Sequence, residues 1–485
     1  MTGPSAARSL LRLLVVSAAV CPCFTGAVSL DGVVRPTTLA EARPIVAALG
    51  NSAPAALRNA ADSSDDARWS AWLKAHDAEI RLRIATGDED SVVNLMLYGT
   101  GFTRQPRATG ALAASAASGR LNSVMDGRLA DLVAAIETPG ADERLRFARE
   151  VVERHGIAAG PASREATRRY LIELRSRVLS QNDRYMRQLA EAPPSQTRAL
   201  HATLYRDRGL SSDTSLRVDF ALHQALAAVR DRGELGGGPV ERVGVVGPGL
   251  DFVDKAQGYD VYPVQMIQPF ALADSLRRLS ISQRPALTTL DISPRVTAHL
   301  RDARQRAARR HPYRLNVAIE QDIAGSRLEP ALVEYWHRFG DRVGTPVTRD
   351  VQKASVSHVP ARSLDVRPDV VLDVTGVELN IVLERLPDAD PSRRFDLIVA
   401  TNVLIYYDTA EQALAVGNMA GMLRAGGLLM TNQPVPVATA CGLSPVLIMS
   451  VTFDHVQSAT GSHERGDSIF VYRKGSGNGD TDARP

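Results

Sequence analysis

Residues Phe395–Ala400 read FDLIVA, a nearly unbroken apolar run. Six residues are short for a helix, and apolar side chains at both odd and even positions leave no face for water. Such a run fits a strand covered on both sides. That strand needs helices above and below its sheet, and the surrounding sequence supplies them. From Glu241 onward, short apolar runs alternate with helical stretches, the pattern of a parallel α/β sheet. Val243–Val246 is the first strand and runs into Gly247-Pro248-Gly249. Ala286–Leu290 is the second and ends at Asp291. Leu315–Ile319 or Val370–Val374 supplies a third, and the sequence leaves both open. After Phe395–Ala400 a helix is expected from about Thr409 to Arg424, ended by Gly426-Gly427, which opens the strand Leu428–Thr431. Val446–Phe453 and Ser468–Arg473 read as a closing strand pair.

The 485 residues suffice for two or three domains. Gly236-Gly237-Gly238-Pro239 marks the change of character, with a helical region at 30–235 before it and the α/β region at 236–475 after it. In the helical region Leu129, Leu132, Val133 and Ile136 share one helix face. Leu145, Ala148, Val151 and Val152 repeat the pattern, with Gly156 where a helix C′ residue belongs. A longer helix is expected from an N-cap at Ser163 towards Leu189, ended by Pro193-Pro194, and another over 215–232. No chemical motif stands out there.

Residues 1–27 have the layout of a secretory signal: basic Arg8 and Arg12, an apolar stretch Leu13–Val20, and small residues before Val28. Export to a periplasmic or extracellular space is the expectation, and a cytoplasmic location follows if the start codon lies further on. The apolar stretch is too short for a conventional span, so no stable membrane span is expected. Three cysteines, two of them in the leader, cannot build a disulfide scaffold. The tail 476–485 is polar and Gly-rich, and is expected to be disordered.

Two elements at the strand ends point to a nucleoside-type ligand. The Gly247-Pro248-Gly249 turn lets a ligand approach the main chain, and Asp291 is placed to accept from the two hydroxyls of a ribose. The alternative for Asp291 is capping the helix that starts near Pro294. The third element is the block FDLIVATNVLIYYD, Phe395–Asp408, followed by MLRAGGLLMTN, Met422–Asn432.

With that block the chain resembles the class I S-adenosylmethionine-dependent methyltransferase superfamily. Asn402-Val403-Leu404-Ile405-Tyr406 is similar to the corresponding stretch of CheR-type chemotaxis receptor methyltransferases. The resemblance covers 236–475. It implies a Rossmann-like, doubly wound, mostly parallel seven-stranded sheet, S-adenosylmethionine as cofactor, and methyl transfer to an unknown acceptor. It also implies cofactor contacts from Gly247, Pro248, Gly249, Asp291 and Asn402, with Asn402 and Tyr406 at the reacting end. Adenine contacts would come from Glu378 and Asn380, or from Asp322. The first strand offers Val243 and Val245 where many members carry an acid; Asp251 is the candidate substitute. The insert from Asp251 to Leu276 is expected to wrap over the cofactor mouth. For Asn402 the competing reading is a turn cap, and for Tyr406 and Tyr407 core and rim packing.

Other chemistry is excluded. Net charge is only +3, and the arginine run from Arg295 to Arg310, with Arg314 after it, has no aromatics interleaved among its helical arginines for base stacking, so no nucleic-acid partner is expected. The ten histidines show no metal-ligand spacing, and neither a Gly-x-Ser-x-Gly elbow nor a phosphate loop occurs. The missing first-strand acid and the leader support a rival, an exported non-catalytic protein that uses the fold as a binding or scaffolding module.

Overall fold

The computed structural model describes residues 34–475, apart from 64, 109–117, 159, 193–208, 211–215, 237, 239, 254–259, 261, 319–325, 348–360, 388–392 and 459–460. The leader, the Pro193-Pro194 break, Asp322 and the tail lie outside the described residues.

The central sheet has eight strands in the order β5-β12-β13-β11-β10-β2-β3-β8. These are β5 (Ser326–Leu328), β12 (Leu443–Ser458), β13 (Gly461–Lys474), β11 (Leu423–Thr431), β10 (Phe395–Ala400), β2 (Arg242–Val246), β3 (Ala286–Asp291) and β8 (Val374–Glu378). The five from β11 to β8 run parallel, and β13, β12 and β5 are antiparallel. The seven expected strands are therefore present, with three-residue β5 added at an edge. Strand order reverses between β2 and β10, which opens a crevice at their carboxyl ends.

FDLIVA is buried on both faces, as its composition requires. Leu397 and Val399 join one core with Val243 and Val245, whereas Ile398 and Ala400 join a second core on the opposite face with Val246. Its single acid, Asp396, accepts from the backbone of Glu241 and Arg242 and pairs with Arg424.

Three sequence expectations need correction. The third parallel strand is β8, which starts where the Val370–Val374 window ends. Val370 and Val371 lie on a short helix, Pro368–Leu372, because Pro368 presets the first helical φ. Leu315 lies in β4 (Tyr313–Ala318), which pairs with β7 (Ala361–Val366) in a separate three-stranded sheet completed by β6 (Gly344–Pro346). Gly426-Gly427 does not end the preceding helix, which stops at Met422. The pairing jumps from Phe395↔Leu423 to Leu397↔Leu428, so the glycines serve a bulge, Gly426 at φ +76. Ser163 makes no side-chain cap; it closes a 3-10 turn ahead of the helix Arg164–Glu191.

The helices that precede the sheet are α1 (Leu39–Leu49), α2 (Ala55–Asp62), α3 (Asp66–Tyr98), α4 (Ser118–Glu137), α5 (Glu143–Arg154), α6 (Arg164–Glu191) and α7 (Leu216–Asp231). Those that follow are α8 (Gln268–Arg278), α9 (Pro294–Ala308), α10 (Pro330–Arg338), α11 (Pro368–Leu372) and α12 (Thr409–Met422). The segment before α1, β1 (Arg35–Pro36), pairs with β9 (Glu384–Arg385), and Ile45 of α1 sits directly over Gly417 of α12. α3 is 33 residues long and starts at an Asp65 cap. At its other end fully buried Arg128 donates to the carbonyls of Met96 and Gly99, a cation placed where helix carbonyls are left unpaired.

Candidate cofactor and active site

β2 leaves the sheet at Val246, and Gly247 and Gly249 both turn with positive φ, +59 and +62. A Cβ on Gly247 would stand 2.6 Å from Val403 Cγ2, so the backbone here passes where no side chain fits. Gly247→Ala is expected to cost about 1–3 kcal/mol of stability through strained φ and overpacking. It should also narrow the crevice, which chemical denaturation and ligand titration would read together.

Beyond the turn lies a cleft with about 690 Å³ of atom-free space counted to its open mouth. Gly247, Gly249, Asp291, Asn402 and Tyr406 all line it. Asp291 is 6% exposed, and its carboxylate accepts from the N–H of Ser293 at 2.8 Å and from the N–H of Gly249. Burial raises its pKa to about 6 against the pull of those two donors. It does not cap α9 in the usual way, since its bond goes to the residue before the helix. Asp291 thus lines the cleft as an acceptor, and a carboxylate with two bonds made keeps lone pairs for hydroxyl donors.

Asn402 sits in the left-handed region at φ +58. Its N–H donates to Asn432 Oδ1 at 2.8 Å, and its own Oδ1 accepts from Asn432 Nδ2 at 2.7 Å. Asn432 Nδ2 also donates to Asp467, whose pKa is raised by burial. The helix cap belongs instead to Asp408, in a capping box with Glu411. Asn402 is therefore locked by its neighbours, with its Nδ2 hydrogens left over at the cleft. Tyr407 lines the cleft too, as a buried ring with the Arg83 guanidinium 5.6 Å from its centroid.

Four expected contacts do not reach the cleft lining. Pro248 is buried behind the turn. Asp251 pairs with Gln265, its N–H to Gln265 O at 2.7 Å and its Oδ2 accepting from Gln265 Nε2, and Gln265 is tied in turn to Asn316 of β4. The insert follows it: Asp260 accepts from the N–H groups of Thr100 and Gly101, so its described part packs on β4 and the helices and not over the mouth. Glu378 pairs with Arg81 of α3 at 3.1 Å. Asn380 donates to Asp77 and accepts from Val382 N–H, a fully buried turn residue. Their neighbours Leu379 and Ile381 line the cleft instead, giving the β8 end an apolar wall.

Ile84 of α3 and Leu210 also line the cleft. They carry no chemical signal in the sequence, only apolar side chains in a polar stretch. Gly87 lets them meet: a Cβ there would overlap the Leu210 carbonyl, at 1.9 Å. α3 is held over the site by Arg83, which pairs with buried Glu411 at 2.7 Å and donates to the carbonyl of Tyr406.

Residues 320–433, which hold β8, β10 and all of β11, match the family model described as CheR methyltransferase, SAM binding domain. This part of the chain is similar to the cofactor-binding domain of class I S-adenosylmethionine-dependent methyltransferases. No curated protein sequence matches it. Among solved structures it is similar to magnesium protoporphyrin IX methyltransferase from Synechocystis PCC 6803 with bound SAM. Identity is 12% over 53% of this chain and 81% of that one, with a TM-score of 0.25. It is also similar to the glycopeptide N-methyltransferase MtfA complexed with SAM, at 12% identity over 52% and 93%, TM-score 0.22. A third is Streptomyces venezuelae DesVI, at 11% over 54% and 79%, TM-score 0.20. At such values neither sequence nor superposition carries residue roles across.

S-adenosylmethionine is the cofactor of this methyltransferase-like fold. The cleft suits it by its donor set: a buried carboxylate for ribose hydroxyls, an apolar wall at Leu379 and Ile381 for a base, and a glycine turn for close approach. When bound, the cofactor supplies an electrophilic methyl on sulfur, so the protein's task is alignment and exclusion of water. Among the described residues no group of His, Cys, Asp or Glu could hold a metal ion. Among them also, no helix is long and apolar enough to cross a membrane.

Proposed function

We propose that this protein transfers the methyl group of S-adenosylmethionine to an acceptor whose nucleophile is aligned at the Asn402–Tyr406 end of the cleft. The observation that carries this reading is the convergence of Asp291, Gly247, Gly249 and Asn402 on one cleft from the ends of three neighbouring strands. Strand order supports an extended ligand: the β8 end is apolar, β3 brings Asp291, and β10 brings Asn402 and Tyr406. In this reading Asn402 orients the acceptor through its Nδ2 hydrogens, and Ile84 and Leu210 exclude water from above. Calorimetric titration of the full chain with S-adenosylhomocysteine tests it. A dissociation constant in the micromolar range is expected, and no heat at millimolar ligand overturns it.

The non-catalytic reading has one observation in its favour: Val243 and Val245 are fully buried where an acid would otherwise hold the cofactor's amino group. An Asp291→Ala, Gly249→Val double variant separates the two readings. Loss of cofactor binding together with the biological phenotype supports catalysis, and an unchanged phenotype supports the module. For the leader, we propose export with cleavage after Ala27. N-terminal sequencing of the protein from its source would then start at Val28, and a chain starting at Met1 or Thr2 overturns that proposal.

A further inference from the structure

A row of hydrogen bonds crosses the ends of three neighbouring strands behind Asn402. Ala400, the last residue of β10, pairs with Thr431 of β11, and Thr431 pairs with Phe470 of β13. Asn402 and Asn432 follow β10 and β11 at the cleft end, and Asp467 lies on β13 just beyond its pairing with β11. Asn432 is 7% exposed, whereas Asn402 is exposed and lines the cleft. Asn432 Oδ1 accepts from the backbone N–H of Asn402 at 2.8 Å. Its Nδ2 donates twice, to Asn402 Oδ1 at 2.7 Å and to Asp467 Oδ2 at 2.9 Å. The other Asp467 oxygen accepts from the N–H of Ser468 at 2.8 Å.

Two members of this row cannot be reversed. A backbone N–H only donates, and an ionised carboxylate only accepts. Turning the Asn432 amide over would set its NH2 group against the Asn402 N–H and its oxygen against Asp467, so every bond it makes would be lost. The Asp467 carboxyl, pushed up by burial, is drawn down by the same Asn432 bond, the direction expected of a donor facing a carboxylate. With Asn432 fixed, an N–H faces the Asn402 amide, which must answer with its oxygen. The Asn402 Nδ2 is left without a partner among the described residues.

We propose that Asn432, anchored by Asp467, is a positioning residue that holds the Asn402 amide in one sense, so that the reacting end of the cleft offers a ligand a hydrogen-bond donor in place of an acceptor. A ligand group with lone pairs is favoured at that point, and one that brings N–H hydrogens, above all an ammonium, is disfavoured. This inference rests on the reading above, in which Asn402 stands where the methyl group is transferred.

Sinefungin and S-adenosylhomocysteine supply the test, since they share the nucleoside and the amino-acid tail. Sinefungin carries an amine at the place of the transferred methyl, and S-adenosylhomocysteine carries nothing there. The quantity read is the ratio of their dissociation constants on the full chain. Asn432→Asp combined with Asp467→Asn conserves charge and shape but reverses the row. The carboxylate introduced at position 432 has no hydrogen to give, so the Asn402 amide turns over to donate to it and shows its oxygen to the ligand. Sinefungin is then expected to gain about tenfold relative to S-adenosylhomocysteine. Asn432→Ala only frees the amide, and should move the ratio about threefold in the same direction. Circular dichroism and melting curves identify a variant that fails to fold, and if the double variant does so, Asn432→Ala decides. A ratio unchanged in the folded variants overturns the proposal, because lost packing alone would weaken both ligands alike. Absence of S-adenosylhomocysteine binding to the unmodified protein overturns the cofactor reading instead.

Discussion

Asp291→Asn is expected to weaken S-adenosylhomocysteine binding about 100-fold, because two hydrogen bonds from ribose hydroxyls to a charged acceptor become weaker neutral ones. The same change is expected to stabilise the ligand-free protein above pH 6. In the folded chain the Asp291 carboxyl titrates near 6, above its ordinary value of 3.8, chiefly because it is buried. The folded state therefore holds this proton more tightly than the unfolded one. Stability is greatest below the unfolded pKa, falls as pH rises through the folded pKa, and is constant above it. Two pH units of separation correspond to at most about 3 kcal/mol, reduced by whatever the amide loses at the Ser293 and Gly249 N–H groups. Binding has the opposite sign: affinity of the unmodified protein should drop as pH falls below about 6, and the asparagine variant should show no such slope. Urea unfolding and titration at pH 5, 6, 7 and 8 measure both. A variant that is less stable at every pH and keeps the wild-type affinity profile would contradict the assignment.

Arg83→Met carries the largest expected stability loss. Arg83 and Glu411 are both buried, and removing one partner of such a pair costs about 3–5 kcal/mol because the other charge is stranded. His76, 3.2 Å from Glu411, moderates the effect, so about 3 kcal/mol is expected. Arg83→Met with Glu411→Leu should recover much of it, since no buried charge remains. Cofactor affinity should fall in both variants, because Ile84 adjoins the lost clamp. A urea midpoint unchanged in Arg83→Met would show that the pair is solvent-relaxed.

The α/β half was legible because its signals are local. FDLIVA states its two-sided burial outright, and Gly247, Gly249, Asp291 and Asn402 sit at strand ends, where chain geometry alone brings them together. Third-strand assignment failed where two apolar stretches of similar length competed and a proline decided between helix and strand. Glu378 and Asn380 stay off the cleft lining while Leu379 and Ile381 reach it, because in a tight turn neighbouring residues face different ways. Asp251 was misplaced by the insert, whose course depends on Gln265 and Asn316, distant in sequence and carrying no motif. α3 was illegible for a different reason. Its first half buries a stripe, while from Gly87 to Leu97 every residue is buried, charged ones included, so it shows no single apolar face.

The way α3 lies over the site governs how this chain can be dissected. A fragment beginning at residue 236 would keep every strand of the central sheet yet lose Ile84 and Leu210 from the cleft wall, the Arg81 and Arg83 ion pairs to Glu378 and Glu411, and Ile45 over α12. Such a truncation would present a raw, greasy scar to water and a nucleoside groove open to the sky. Expression trials and ligand-binding measurements should accordingly retain everything from residue 34, since the α/β half borrows its ceiling from the other.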